Sequence, residues 1–217
     1  MNNSELINKT IAFVKEKLND AEGGHDWFHI ERVYKNALLI AKGTDCDLTI
    51  VQLGALLHDI ADSKFHNGDE TIGPKTARLF LESEEVAEEI IQHVVNIIEN
   101  ISYKGGNFEK RFSSVELDIV QDADRLDAIG AIGVARAFNY GGFKNRTLHD
   151  PAIAPITNMT KEEYKKNTAP TINHFYEKLL LLKDKMNTET GKQIAAERHR
   201  FMETFLAQFY AEWEGAR

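Results

Sequence analysis

Residues 53–62 read LGALLHDIAD, an apolar helical run that ends in an adjacent imidazole and carboxylate. Leu53, Ala55, Leu56 and Leu57 leave this segment apolar on nearly every side, so the helix belongs at the centre of a fold rather than on its surface. Asp47 stands where an N-cap is needed, and the spacing predicts a helix from there to about Ala61. A histidine buried at its end could satisfy itself within the protein. An adjacent Asp59 adds a second desolvated charge, and a divalent cation resolves that conflict. Imidazole with carboxylate suits Mn, Fe, Co, Ni or Zn, and suits Mg less well because Mg prefers oxygen ligands.

Outward from this run the chain keeps helical spacing, and alternating β-branched stretches closed by tight turns are nearly absent. An all-α fold is expected, in one domain over residues 1–217, a length that helical chains commonly fit around one core. Leu6, Ile7, Ile11, Val14 and Leu18 mark a first helix. A second spans roughly His25 to Lys42, with Ile30, Val33, Ala37, Ile40 and Ala41 inward. Thr71 to Glu82 and Ser83 to Asn100 read as two more, the latter with Ser83 as its cap. Residues 115–138 read as one helix that contains Gly130 and Gly133, and 161–186 and 189–213 as two long closing helices. Phe201, Phe205, Phe209 and Trp213 form an aromatic stripe suited to a core or a homodimer contact. Two segments read as loops: Ser102 to Phe112, which is basic and glycine-bearing with hinges at Gly105 and Gly106, and Asn139 to Met159, a lid candidate with hinges at Gly141 and Gly142.

Composition narrows the function classes. The net charge of −8 repels phosphate backbones at long range, so bulk nucleic acid is not an expected partner. Apolar runs such as Ala37 to Ala41 fall far below the roughly 18 residues of a membrane span, and no membrane association is expected. One cysteine, Cys46, and an N-terminus without a secretory pattern point to the reducing cytoplasm.

Further anomalies join the His58-Asp59 pair. Asp122, Asp124 and Asp127 crowd IVQDADRLDAIG, and His25 and His29 share a helical face in HDWFHIERV, where either could be a ligand. HDWFH also resembles the H-E-x-x-H of zinc peptidases, but its acid is one methylene shorter and no third ligand stands nearby. Asp62 follows His58 by one helical turn, which would put its carboxylate on the metal-binding face if the helix continued. Pairing with Lys64 on an exposed turn is the competing reading. Positive groups close to these motifs are Arg32, Lys64, Lys104, Arg125 and Arg146. Arg32 and Lys104 stand out among them, one on the face of His29 and one in the SYKGG loop. His93, within IIQHVVNII, reads equally as a substrate contact or a core histidine.

The order His29, His58-Asp59, Asp124 resembles the H…HD…D signature of the HD-domain metal-dependent phosphohydrolase superfamily. HDWFHIERV, ALLHDIADSKF, IIENISYKGG, VQDADRLDAIGAIG, YGG and TGKQIAAERHRFM extend the likeness to its small stand-alone bacterial branch over nearly the whole chain. The resemblance implies a helical bundle with a metal site between helices, and one divalent transition metal, Mn first, held by His29, His58, Asp59 and Asp124. It implies hydrolysis of a phosphoester or pyrophosphate bond in a small phosphorylated metabolite, with a nucleotide the best candidate. Several members carry a glutamate at the offset of Asp62 that is thought to handle the proton of the attacking water. Arg32, Lys64 and Lys104 would then offset charge on the phosphate, with His93, Arg125 and Arg146 as further substrate contacts. Two-metal members generally need extra histidines between the HD pair and the last aspartate, where this chain has His66 and His93, so one metal is expected. For Asp122 and Asp127, capping or a bond to a ligand histidine is the expected role. The competing function is a nucleotide-binding sensor or scaffold that keeps the metal fold without turnover.

Overall fold

Asp47 caps the central helix as expected, its Oδ1 accepting from the backbone N–H groups of Thr49 and Ile50 at 2.8 and 3.2 Å. The computed structural model describes residues 2–19, 26–61, 69–101, 112–160, 163 and 166–216. These form helices α1 (Asn3–Lys17), α2 (Trp27–Ala41), α3 (Leu48–Leu57), α4 (Ile72–Ser83), α5 (Glu88–Asn100), α6 (Val115–Asp127), α7 (Gly130–Phe143), α8 (Asn173–Glu177) and α9 (Glu189–Trp213). A 3-10 segment, Leu179–Lys185, lies between the last two. The fold is all-α, with no strand among the described residues. No helix among them is long and apolar enough to cross a membrane. The chain divides into two compact units, Met1–Asp124 and Arg125–Arg217.

In the first unit α3 is the hub, packed by α1, α2 and α5. Val51, Leu53, Leu56 and Leu57 are fully buried, each worth about 1.5–3 kcal/mol of apolar transfer. Gly54 lets α3 approach Ile97 of α5 and Val120 of α6 closely. The helix stops at Leu57, sooner than expected, and His58 to Ile60 form the turn that follows it. Asp26, not His25, sets the start of α2: its carboxylate accepts from the backbone N–H of His29 at 3.0 Å. His25 itself lies outside the described residues. Ser83 does not cap α5. It ends α4, its hydroxyl donating to the Phe80 carbonyl at 2.6 Å, and Glu85 turns the chain with φ of 55°.

The second unit departs further from sequence expectation. Residues 115–138 are not one helix, because α6 ends at Asp127 and α7 restarts at Gly130 with φ of 74°. The stem of Arg198 lies over Gly130, and a methyl on Gly133 would overlap the Ala128 carbonyl oxygen. Gly133→Ala should therefore cost about 3 kcal/mol, at the upper end of the usual overpacking range, because a backbone carbonyl cannot swing aside. At roughly 2–4 °C per kcal/mol for a chain of this size, thermal unfolding should fall by about 6–12 °C. Gly142→Ala, which meets nothing within 4 Å, should lose no stability, and equal effects of the two variants would refute this packing account.

The expected hinges at Gly141 and Gly142 lie inside α7, where Gly141 packs on Thr171. Beyond α7 the irregular chain is tied to residues 171–173. Thr171 and Ile172 donate to the carbonyls of Thr147 and Leu148 at 2.9 and 3.0 Å, and the Asn173 amide donates to Ile153 at 2.9 Å. The expected helix over 161–186 is interrupted, because residues 167–170 are not helical. Ala169 precedes Pro170, which disfavours helical backbone, and Asn167 Oδ1 accepts from the Ala169 N–H at 2.8 Å to hold a turn instead. Of the aromatic stripe, Phe205 packs between Phe138 and Phe175, with ring centroids 5.8 Å from each, whereas Phe201 is exposed.

His174 in this unit has its pKa lowered to about 4 by burial first, with Lys178 and Arg146 adding positive charge beside it. Unfolded, a histidine titrates near 6.5, so below that pH the unfolded chain binds a proton that the folded chain refuses. The stability owed to neutral His174 is complete above pH 6.5 and drains away as pH falls toward 4. Metal-free wild type should lose about 2–3 kcal/mol more than His174→Gln between pH 7.5 and 4.5 in urea unfolding. Equal losses would show that His174 does not carry this pH dependence.

Candidate metal centre

The local fold of α2 and α3 places two imidazoles face to face. His29 occupies the first turn of α2, anchored by the Asp26 cap, and is 2% exposed. His58 follows the last residue of α3 and is 7% exposed. Its Nδ1 lies 2.9 Å from the Ala55 carbonyl, so that nitrogen carries the proton and donates it, leaving the lone pair on Nε2. Burial pushes the His58 pKa down, opposed by Asp124 and reinforced by His29, which keeps the ring neutral at neutral pH. The Nε2 atoms of the two rings are 3.3 Å apart.

Carboxylates complete the cluster. Ligand atoms of His29, His58 and Asp59 all lie within 4.8 Å of one another. From α6, Asp124 Oδ1 reaches 3.6 Å from His29 Nε2 and 3.9 Å from His58 Nε2, with its side chain 40% exposed. One cation bound at about 2.1 Å to two imidazole nitrogens would hold them roughly 3.0–3.4 Å apart at octahedral to tetrahedral angles. The observed spacing of 3.3 Å meets that requirement, and two imidazoles with two carboxylates form a donor set suited to a transition-metal dication. The two rings are buried, whereas Asp124 reaches solvent.

The other residues singled out in the sequence fall in varied places. Arg32 is half-buried on α2, one turn beyond His29. His93 Nε2 lies 2.9 Å from Ser114 Oγ and 3.3 Å from Glu116 Oε2, and its ring edge meets Phe112. Ser114 also caps α6 through the Leu117 N–H at 3.0 Å, so His93 is engaged with the start of that helix. In the second unit Arg125 donates to the Lys185 carbonyl at 2.6 Å. Arg146 donates to the Asn167 carbonyl and lies over the Tyr140 ring at 5.6 Å. Asp122 is buried, and Asp127 is buried with its Oδ2 accepting from Arg136 at 2.6 Å. Asp62, Lys64 and Lys104 lie outside the described residues.

Two amides went unremarked in the sequence. Asn36 on α2 donates to the Ala123 carbonyl at 3.3 Å, and Gln121 on α6 donates to the Asn100 carbonyl at 2.8 Å. The signal for Asn36 was present: it sits two turns beyond His29 on a face otherwise lined by Val33, Ala37 and Ile40.

The HD domain family profile matches residues 27–129, the span that contains all four candidate ligands. YpgQ of Bacillus subtilis strain 168 is 36% identical over 214 residues, covering 94% of this chain and 92% of that protein. The chain belongs to the HD domain family. Its fold is shared with a crystal structure of an HD-superfamily hydrolase from Bacillus thuringiensis. That structure is 45% identical with a TM-score of 0.80, and the match covers 98% of this chain and 99% of that one. A structure of Bacillus subtilis YpgQ in complex with ADP is similar as well, 33% identical with a TM-score of 0.78 over 98% of this chain and 97% of that one. HD domains bind divalent metals, and among the described residues His29, His58 and Asp59 form a cluster that could hold one, with Asp124 Oδ1 3.6 Å from His29 Nε2.

Proposed function

We propose that this chain is a metal-dependent phosphohydrolase of the cytoplasm acting on a small phosphorylated metabolite, a nucleotide foremost. The observation that carries the reading is the meeting of two buried imidazoles and the Asp59 carboxylate within 4.8 Å of one another, with Asp124 Oδ1 3.6 and 3.9 Å from the two ring nitrogens. The ADP bound by YpgQ supports the nucleotide class. His29, His58, Asp59 and Asp124 would hold one dication, Mn foremost. When bound, such a cation polarises a phosphoryl oxygen and acidifies water.

The rest falls to the chain's own side chains. Asp62 accepts the proton of the attacking water as the new P–O bond forms. Arg32, Lys64 and Lys104 offset charge on the phosphate, and the leaving oxygen departs with its electron pair to be protonated by solvent. His93 has Ser114 and Glu116 as partners, and its part is to set the start of α6.

The test is a screen of Mn-loaded protein for phosphate and pyrophosphate release from nucleoside mono-, di- and triphosphates. Turnover of at least one class is expected, and the product identifies the scissile bond. Silence across the panel with nucleotide still bound would replace the enzyme by a metal- and nucleotide-binding sensor.

A further inference from the structure

His29 and Asp124 belong to different helices, so their meeting depends on how α2 is set along α6. The face of α2 that follows His29 is apolar, with Ile30, Val33 and Ile40 fully buried. In the middle of that face stands Asn36, 9% exposed. A buried amide gains little over an apolar residue of the same shape and loses heavily when unpaired, so its natural use is to select one alignment over its neighbours. The amide Nδ2 of Asn36 donates to the Ala123 carbonyl, the residue immediately before Asp124, at 3.3 Å. Asn36 lies two turns from His29 on the same side of α2, so the contact and the ligand pair stack along one line. On the opposite flank, Gln121 donates to the Asn100 and Ile101 carbonyls at 2.8 and 3.4 Å, which ties α6 to the end of α5. A helix held on both sides just before Asp124 has little freedom to slide or roll.

We infer that Asn36 is a positioning residue that sets the fine placement of α2 against the end of α6 and thereby the approach of His29 to Asp124; the inference rests on the proposed metal site. It acts through the Ala123 carbonyl. Sliding α2 by one residue would rotate His29 about 100° away from the cluster and would carry Glu31 or Arg32 onto the buried face. The packing of α2 on α3 therefore already opposes a slip of a whole residue, and the amide sets the finer approach of α2 to the Ala123 carbonyl.

The experiment uses Asn36→Leu, which keeps the branched shape and removes the donor, with Asn36→Gln as a second variant should the first fail to fold. Mn affinity of the full chain is measured by calorimetry, beside thermal unfolding of the metal-free protein. Mn binding should weaken by about tenfold or more in Asn36→Leu, the range seen when groups behind metal ligands are lost, while metal-free stability stays level. Asn36→Gln should shift affinity in the same direction by less. A metal-free crystal structure of the variant should show the separation of His29 Nε2 from Asp124 Oδ1, 3.6 Å in the wild type, widened by about 1 Å. Unchanged affinity together with an unchanged separation would overturn the positioning role. A wild type that binds no Mn would overturn the metal site instead, and the crystallographic separation alone would then decide the role of Asn36.

Discussion

His58→Ala is expected to leave the protein without bound metal and without turnover. The wild-type ring is neutral, buried, and oriented by its Nδ1–H to the Ala55 carbonyl so that Nε2 presents a lone pair 3.3 Å from that of His29. Alanine removes the donor and leaves His29 with carboxylates alone. Elemental analysis should find near one equivalent of transition metal in the wild type and almost none in the variant. Phosphate release should drop by three orders of magnitude or more, on the order of 4 kcal/mol of transition-state stabilisation. Asp124→Ala should behave alike, because its carboxylate faces both rings at 3.6 and 3.9 Å. Unchanged metal content in both variants would remove these residues from the ligand set.

Asp62→Asn is expected to keep the metal and lose turnover by a factor of roughly 100, about 2.7 kcal/mol, as removal of a general base typically does. The amide is close in size to the carboxylate and cannot accept the proton of the attacking water. α3 ends at Leu57 and His58 begins a turn, so the approach of Asp62 to the metal does not follow from a continuous helix. The kinetic experiment decides its role. Near-normal turnover in Asp62→Asn, with metal content unaltered, would make Asp62 a surface carboxylate and move the base elsewhere.

The centre of the fold was legible because its signals are local. An apolar run such as LGALLHDIAD can only be buried, and an ionisable pair at its end stands out against that background. Asp47 was legible as a cap because capping depends on the next three residues alone. Asp124 was legible through a motif, although neither its spacing nor its chemistry separates it from Asp122 and Asp127. The structure separates them by depth: Asp122 and Asp127 are buried, while Asp124 is partly exposed beside the histidines. The break between α6 and α7 was missed because Gly130 and Gly133 fit a helical period, and their need for close packing under Arg198 and against Ala128 arises only in three dimensions. Residues 161–186 misled for the opposite reason. Their apolar spacing is helical, yet Asn167 and Pro170 impose local turns, and the Leu179–Lys185 run winds as a 3-10 segment. Asn36 was overlooked because an amide on an apolar face looks like an edge position until its partner on another helix is seen.

The most direct measurement is phosphate and pyrophosphate release from nucleoside triphosphates by metal-stripped protein as Mn is added back. The His29, His58, Asp59 and Asp124 cluster is predicted to make turnover rise in proportion to added metal and level off at one equivalent of Mn per chain. Protein that takes up its equivalent of Mn and releases neither product at any point of the titration would contradict the claim that this centre hydrolyses nucleotides.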